Sequence, residues 1–256
     1  MGTTCSPTPT WDYTKHAPHY DKRADYSGDA IEKVLRAMGC DPSKLVADLG
    51  AGTGKLTKEL LKHGLTVRCV EPNDAMRAIG ARNTQGEPAT WSVGTAEATG
   101  LATASVYAVF FGSSFNVVDQ NLALSEASRI LAPDGWFACM WNHRDLADPI
   151  QERIESIIKS SIPNYSYGSR REDPRSAIDK SGYFSQSKSI EGSLLWSMPA
   201  SDIIDAWKSH ATLKRQAGDD ASFDGIIKQI ANYLDTLPEI IEVPYTTRIY
   251  FAQKTK

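Results

Sequence analysis

Apolar residues in this chain gather in short runs, separated by longer segments in which they recur every three or four positions. Residues 45–49, 66–70, 89–93, 106–111 and 135–141 have the length and content of buried strands. Between them, residues 55–63 carry Leu56, Leu60 and Leu61 at helical spacing, and residues 120–131 carry Leu122, Leu124, Ala127, Ile130 and Leu131. Asn73-Asp74 caps a further helix at 73–76. Upstream, Ile31, Val34, Leu35 and Met38 form the apolar stripe of a helix over 29–39, ended by Gly39. Downstream, residues 148–162 predict a helix, 163–174 a loop, 187–196 a sixth strand, and 200–211 and 223–237 two more helices. Residues 243–252 alternate, with Ile249 and Phe251 on one side and Tyr250 on the other, which predicts an edge hairpin with the sixth strand. Strands alternating with helices predict an α/β sheet covered on both faces.

The first strand runs directly into Gly50-Ala51-Gly52-Thr53-Gly54 and then a helix. Glycine there permits positive φ and lets a ligand approach the backbone, and the helix turns its first N–H groups toward the turn. A nicotinamide fingerprint needs a glycine three residues after Gly52, where Lys55 stands. A phosphate loop needs a glycine five residues before Gly54, where Leu49 stands. Asp48, just ahead of the turn, would repel a pyrophosphate and welcome a cationic or hydrogen-bond-donating group. Glu71, ending the second strand before Pro72, follows the turn at the distance of a ribose-binding acid in doubly wound folds. Ligands in such sheets sit beyond the carboxyl ends of strands near the switch in strand order. That rule turns Ser113, Phe115 and Asn116, after the fourth strand, toward a cofactor and its reaction partner. It does the same for Trp141 and His143, after the fifth.

Composition narrows the classes. The formal net charge of −3 argues against a nucleic-acid partner, and no apolar run reaches the length of a membrane span. Residues 1–10 lack an apolar signal core. Cys5, Cys40, Cys69 and Cys139 show no paired spacing, so free thiols, no metal site and a cytoplasmic location are expected.

Asp48-x-Gly50-x-Gly52-x-Gly54 resembles motif I of the class I methyltransferases that use S-adenosylmethionine. Gly94-x-Ala96-Glu97 resembles their Gly-x-Ala-Glu stretch, with Thr95 where most relatives carry Asp. Tyr20-Asp21-Lys22-Arg23 resembles the Tyr-Asp-x-x-Arg stretch that precedes their first strand. The resemblance implies a Rossmann-like sheet of seven strands, ordered three, two, one, four, five, seven, six, with the last antiparallel. It implies a single domain, 1–256, comprising an N-terminal lid and helix (11–40), a cofactor-binding core (41–145), a helical cap insertion (146–185) and a C-terminal hairpin with helices (186–256). It implies S-adenosyl-L-methionine as cofactor, with S-adenosyl-L-homocysteine as product. The cofactor would be held by Tyr20, Arg23, Asp48, Gly50, Ala51, Gly52, Glu71, Pro72, Met76, Thr95, Ala96, Glu97 and Ser113. An aromatic lid and cap, carrying Trp11, Tyr13, His16, Phe115, Asn116, Trp141, His143, Tyr165 and Tyr167, suggest a planar or heteroaromatic small-molecule acceptor. His143 is the best-placed base, with His16 and His19 as alternatives, and Asn116 or Tyr13 could orient the acceptor. The nearest branch is the ubiquinone/menaquinone type, with relatives that tailor natural products, as monomer or homodimer. A nicotinamide-dependent oxidoreductase and a non-catalytic cofactor-binding protein are the other readings.

Overall fold

The computed structural model describes residues 14, 17–167 and 172–255. Trp11, Tyr13, His16, Arg170 and Arg171 therefore lie outside the described residues. The core alternates strand and helix: β1 (Leu45–Leu49), α3 (Lys55–Lys62), β2 (Thr66–Val70), α4 (Asp74–Asn83), β3 (Ala89–Ser92), β4 (Val106–Phe111), α5 (Gln120–Ile130) and β5 (Leu131–Arg144). Before it stand α1 (Ala17–Tyr20) and α2 (Gly28–Met38). After it come α6 (Pro149–Ser161), α7 (Arg175–Lys180), β6 (Lys188–Pro199), α8 (Ala200–Lys208), α9 (Ala211–Ala217), α10 (Asp220–Leu234) and β7 (Ile240–Gln253).

The strands form one sheet in the order β3-β2-β1-β4-β5-β7-β6. The pairs β1–β2, β1–β4, β2–β3 and β4–β5 are parallel, and β7 runs antiparallel to both β5 and β6. This is the expected Rossmann-like order. Side chains alternate between the faces, as the pleat requires. Ala47, Leu49, Val109, Phe111, Phe137 and Cys139 join the core under α5. Val46, Ala108, Phe110, Ala138 and Met140 join the core under α2 and α3. Tyr250 falls in the first cluster and Ile249 and Phe251 in the second, as their alternation predicts. Helix ends at Asn73 and Gly39 are those the sequence signals, and Ser27 and Asp119 add two more. Ser27 accepts from the Ala30 N–H, Asn73 from Met76 N–H and Asp119 from Leu122 N–H, and Gly39 closes α2 at φ 64°.

Three expectations are corrected. First, β5 begins at Leu131 rather than at 135: Val106 pairs with Leu131 and Ala108 with Trp136, so residues between them loop out as a bulge. Asp134 sits in that bulge at φ 61°, a conformation Asp tolerates. Second, α9 occupies a stretch without a clear apolar stripe. His210 starts it, its Nδ1 accepting from the Leu213 N–H. Third, the cap is not confined to 146–185. Its apolar cluster joins Ile154 and Ile158 of α6 to Ile203 and Trp207 of α8, Leu213 of α9 and Ile226 and Ile230 of α10. Meanwhile α7 leaves the cap, and its Ile178 packs into the sheet core beneath α5. The reason is that α6, α8 and α10 each own one apolar face, which they bury on one another and on the ends of β6 and β7 through Met198, Ile241 and Val243.

Gly80 illustrates how tightly α4 meets the sheet. A Cβ at Gly80 would lie 2.1 Å from the Trp91 ring, and that ring is fixed by its Nε1–H donating to Thr84 Oγ1 at 2.9 Å. Gly80→Ala should therefore lose about 1–3 kcal/mol by overpacking, even though alanine is the better helix former by about 1 kcal/mol. Urea denaturation checks this, and Trp91→Leu in the Gly80→Ala background should recover part of the loss.

Candidate active site

The carboxyl ends of β1, β4 and β5 open into one cleft. Its floor is the turn after β1. One wall is the segment 20–26. The other is built from 112–114 and 141–144, and cap residues including Met198, Ile203, Trp207 and His210 roof it.

The turn is pinned on three sides. Gly50 and Ala51 N–H both donate to the Val70 carbonyl, at 2.8 and 3.1 Å, which ties the turn to the end of β2. Gly52 N–H donates to Glu71 Oε2 at 2.9 Å. Ser114 Oγ donates to the Leu49 carbonyl at 2.8 Å. Gly50 and Gly52 hold φ of 66° and 58°, and a Cβ on Gly50 would stand 2.7 Å from Ser114 Cβ. Both conformation and space thus demand glycine at 50.

Two carboxylates flank the turn. Asp48 is 1% exposed and lines the cleft. Its Oδ2 accepts from Thr57 Oγ1 at 2.7 Å, while the buried Oδ1 has no partner among the described residues. Burial, reinforced by the nearby Glu71 charge, pushes its carboxyl up to about 7. Glu71 is also raised by burial, against the opposing pull of the Asn73 and Gly52 N–H groups and Arg77.

The 20–26 wall is seated by buried polar contacts. Asn142 Nδ2 donates to the Asp25 carbonyl at 2.7 Å, Thr247 Oγ1 donates to Asn142 Oδ1 at 2.6 Å, and Ser27 N–H donates to Thr247 Oγ1 at 2.7 Å. Lys55 pairs with Asp25 at 2.6 Å. The Tyr26 hydroxyl accepts from the Ser113 N–H at 3.0 Å, and a Cβ on Gly112 would meet it at 2.7 Å. Arg23 stacks on Tyr20 at 4.2 Å and reaches the cap, its Nε donating to Ser209 Oγ at 2.8 Å.

At the cap end, Arg144 Nη2 donates to Glu155 Oε2 at 2.8 Å and to Tyr167 Oη at 2.9 Å. Burial raises the Glu155 carboxyl, but the Tyr167 hydroxyl, Arg144 and Lys159 outweigh it and hold the group below its ordinary value.

Of the residues singled out from sequence, Tyr20, Arg23, Asp48, Gly50, Ala51, Gly52, Ser113, Trp141, His143 and Tyr167 line this cleft. Met76 lies just behind the turn, its Cε 3.3 Å from where a Gly52 Cβ would be. Thr95, Ala96 and Glu97 form a turn closed by the Thr95 N–H donating to the Ala98 carbonyl and the Ala98 N–H to the Thr95 carbonyl. There Ala96 is buried in the sheet core and Glu97 accepts from the Asp119 N–H at 3.0 Å. Pro72, Glu71 and this turn stand beside the glycine turn rather than on the cleft.

Three acceptor-side expectations fail. Phe115 is fully buried, with ring centroids 5.2 Å from both Phe111 and Phe137. The 3-10 turn 115–117 rotates it under the sheet and keeps Asn116 off the cleft. Tyr165 is buried in the cap cluster, edge-on to Tyr167 at 5.4 Å. Sequence reasoning missed Tyr26, Lys55, Asn142, Arg144, Trp207 and His210 as cleft residues. Arg144 and Asn142 were within reach, since they adjoin Trp141 and His143 at the end of the fifth strand. Trp207 reads as an ordinary core position of an amphipathic helix.

Comparison with known proteins agrees with this architecture. Residues 47–139 match the family model described as a methyltransferase domain. An uncharacterized methyltransferase of Mycobacterium tuberculosis is 38% identical over 128 residues, covering 48% of this chain and 48% of that protein. The chain thus spans about half the length of the mycobacterial relatives it matches. A ubiquinone/menaquinone biosynthesis C-methyltransferase of Caulobacter vibrioides is 28% identical over 170 residues, covering 59% of this chain and 67% of its own. Phosphoethanolamine N-methyltransferase 2 of Haemonchus contortus, solved with phosphomonomethylethanolamine and S-adenosylhomocysteine, has a TM-score of 0.55 at 14% identity, covering 95% of this chain and 58% of that one. The YcgJ protein of Bacillus subtilis has a TM-score of 0.53 at 16% identity, covering 90% and 100%. These structural likenesses are likenesses of fold.

The raised Asp48 carboxyl has a consequence for stability. The folded state holds its proton more tightly than the unfolded chain, whose Asp titrates near 3.8. Its contribution is complete below that value and is lost as pH rises toward about 7, by roughly 1.4 kcal/mol per unit. Asp48→Asn, which keeps an acceptor for Thr57, should therefore gain stability over the ligand-free wild type as pH rises from 4 to 7, in urea titrations at matched salt.

Proposed function

We propose that this chain, whose residues 47–139 match a methyltransferase domain, is a class I enzyme that transfers a methyl group from S-adenosylmethionine to a small-molecule acceptor. The observation that carries the reading is Asp48 Oδ1. It is a buried carboxylate oxygen without a partner among the described residues, on the cleft at the head of a turn whose geometry demands glycine. A cationic, hydrogen-bond-donating ligand satisfies such an oxygen, and a pyrophosphate would not.

In this reading the backbone of 50–52 and Asp48 cradle the cofactor, and Glu71 receives the ribose hydroxyls. The Glu71 carboxylate already accepts the Gly52 and Asn73 N–H groups, which fixes its orientation and leaves lone pairs for a sugar. Met76 and the 95–97 turn, with Pro72, border the adenine side. Tyr20, Arg23 and Ser113 take the methionyl end. When bound, S-adenosylmethionine supplies a methyl group that is already electrophilic. The work left to the protein is orientation and exclusion of water, to which the lid and cap are suited.

His143 lines the cleft from the end of β5 and is the residue we assign to acceptor proton transfer or positioning. Asn116 does not keep that assignment, because its turn lies off the cleft. Among the described residues, the planar, heteroaromatic character of the acceptor now rests on Trp141 and Tyr167, which line the cleft while Phe115 and Tyr165 do not. The formal charge of −3 supports a small-molecule acceptor over a nucleic acid, and no described helix is long and apolar enough to cross a membrane.

Isothermal titration at pH 8 tests the reading. S-adenosylmethionine and S-adenosylhomocysteine should bind in the micromolar range and NADH should not, and Glu71→Ala should weaken both nucleosides at least about tenfold, or roughly 1.4 kcal/mol. Binding of NADH in their place would overturn it. Once an acceptor is in hand, His143→Ala should lower kcat with cofactor affinity unchanged, and full turnover would remove His143 from the chemistry.

A further inference from the structure

The cleft is chemically polarised. At the glycine turn, among the described residues, the buried polar atoms without a partner are the carboxylate oxygen Asp48 Oδ1 and the hydroxyl of Thr53. At the carboxyl end of β5 the buried atoms without a hydrogen-bond partner among the described residues include two donors, Trp141 Nε1 and Arg144 Nη1. Both of those side chains line the cleft.

Arg144 is the stronger of the two. It is the last residue of β5, and its side chain is 11% exposed. Its Nη2 is committed to Glu155 and Tyr167, and the guanidinium lies 4.6 Å from the Trp207 ring centroid. These contacts fix the plane of the fork and leave Nη1, with two N–H groups, without a partner among the described residues. Nor is the charge balanced. Glu155 is its one acidic partner among the described residues, and Glu155 is shared with Lys159 at 3.3 Å and with the Tyr167 hydroxyl. The cleft's other cations are differently placed. Lys55 is paired with Asp25, and Arg23 is bonded to Ser209 across the lid. Trp207 carries both the Arg144 guanidinium and the His210 imidazole, the latter at 5.0 Å, against its ring. Much of its stacking surface is thus spent inside the protein.

A positioned, desolvated guanidinium with unpaired N–H groups is a receptor for an anionic oxygen. We infer that the acceptor is a small organic anion, anchored through a carboxylate or phosphate oxygen on Arg144 Nη1, with Trp141 Nε1 as a second donor. This deepens the methyltransferase reading and rests on it. The anion is the anchor. It holds the acceptor at the β5 end while another atom of the same molecule faces the methyl donor.

The test uses the full chain saturated with S-adenosylhomocysteine and isothermal titration of matched probes: benzoate against benzamide, citrate, phenyl phosphate, and inorganic phosphate. An anion should bind at least tenfold more tightly than its neutral counterpart, and the carboxylate and phosphate arms identify which oxygen the site prefers. Arg144→Gln should abolish that preference while the affinity for S-adenosylhomocysteine stays within twofold. Because this substitution strands Glu155, the double variant Arg144→Gln/Glu155→Gln repeats the measurement with the local charge rebalanced. The inference is overturned by a wild type that prefers no anion, or by a preference that survives in both variants. It is equally overturned if Arg144→Gln weakens S-adenosylhomocysteine itself, which would assign Nη1 to the cofactor. A wild type that binds no S-adenosylhomocysteine is a different failure, and takes the methyltransferase reading down with it.

Discussion

Five residues of chain, 50–54, must turn from the end of a buried strand into the first turn of a helix without filling the space above them. They do so because the carbonyl of Val70 accepts two N–H groups from the turn and the carboxylate of Glu71 accepts a third. The second strand therefore shapes the ligand-facing surface of the first. With the turn fixed, the remaining geometry is largely determined. Ser114 closes from β4, and the hydroxyl of Tyr26 settles against the Gly112–Ser113 backbone, where no side chain could fit.

The same pinning explains why a carboxylate can be kept in so poor a solvent. Asp48 retains one hydrogen bond and lacks others, so its charged form is disfavoured in the ligand-free protein. That cost is tolerable in a stable sheet, where Val46, Ala47 and Leu49 around it are fully buried. It becomes useful when a ligand supplies the missing donors. The strain is electrostatic and local, and it sits opposite a guanidinium end with the reverse deficit.

How much of this was legible follows from where each signal comes from. The bounds of β1, β2 and β4 were readable because continuous apolar runs flanked by glycine or proline leave few alternatives, and the strand order was implied by the family resemblance. The glycine turn and the two carboxylates were readable because their chemistry is local in sequence. The acceptor end was not. Phe115 and Asn116 lie one turn past a correctly placed strand, and a single 3-10 turn decides which way they face. Tyr165 and Tyr167 are two residues apart, yet one is core and the other lines the cleft. Trp207 and His210 reach the cleft only because α6, α8 and α10 bury their apolar faces on one another, a decision made by tertiary packing that periodicity does not encode.

The lid shows the same division within one short segment. Its inner half, residues 24–27, is threaded by hydrogen bonds to Asn142 and Thr247, with Thr247 fully buried. Its outer half meets the cap through Lys22 with Asp202 at 3.1 Å and His19 with Asp205 at 3.4 Å, pairs that are a quarter or more exposed. Exposed pairs of this kind contribute roughly 0–1 kcal/mol and are screened by salt, whereas stranding a buried partner costs about 1–3 kcal/mol. The inner half thus belongs to the sheet and the outer half only leans on the cap. Arg23 stands at the junction, bonded to Ser209 and stacked on Tyr20, so one side chain couples the roof of the cleft to its wall. A ligand drawing that guanidinium inward would have to compete with Ser209, and would change the seat of the cap as it did so.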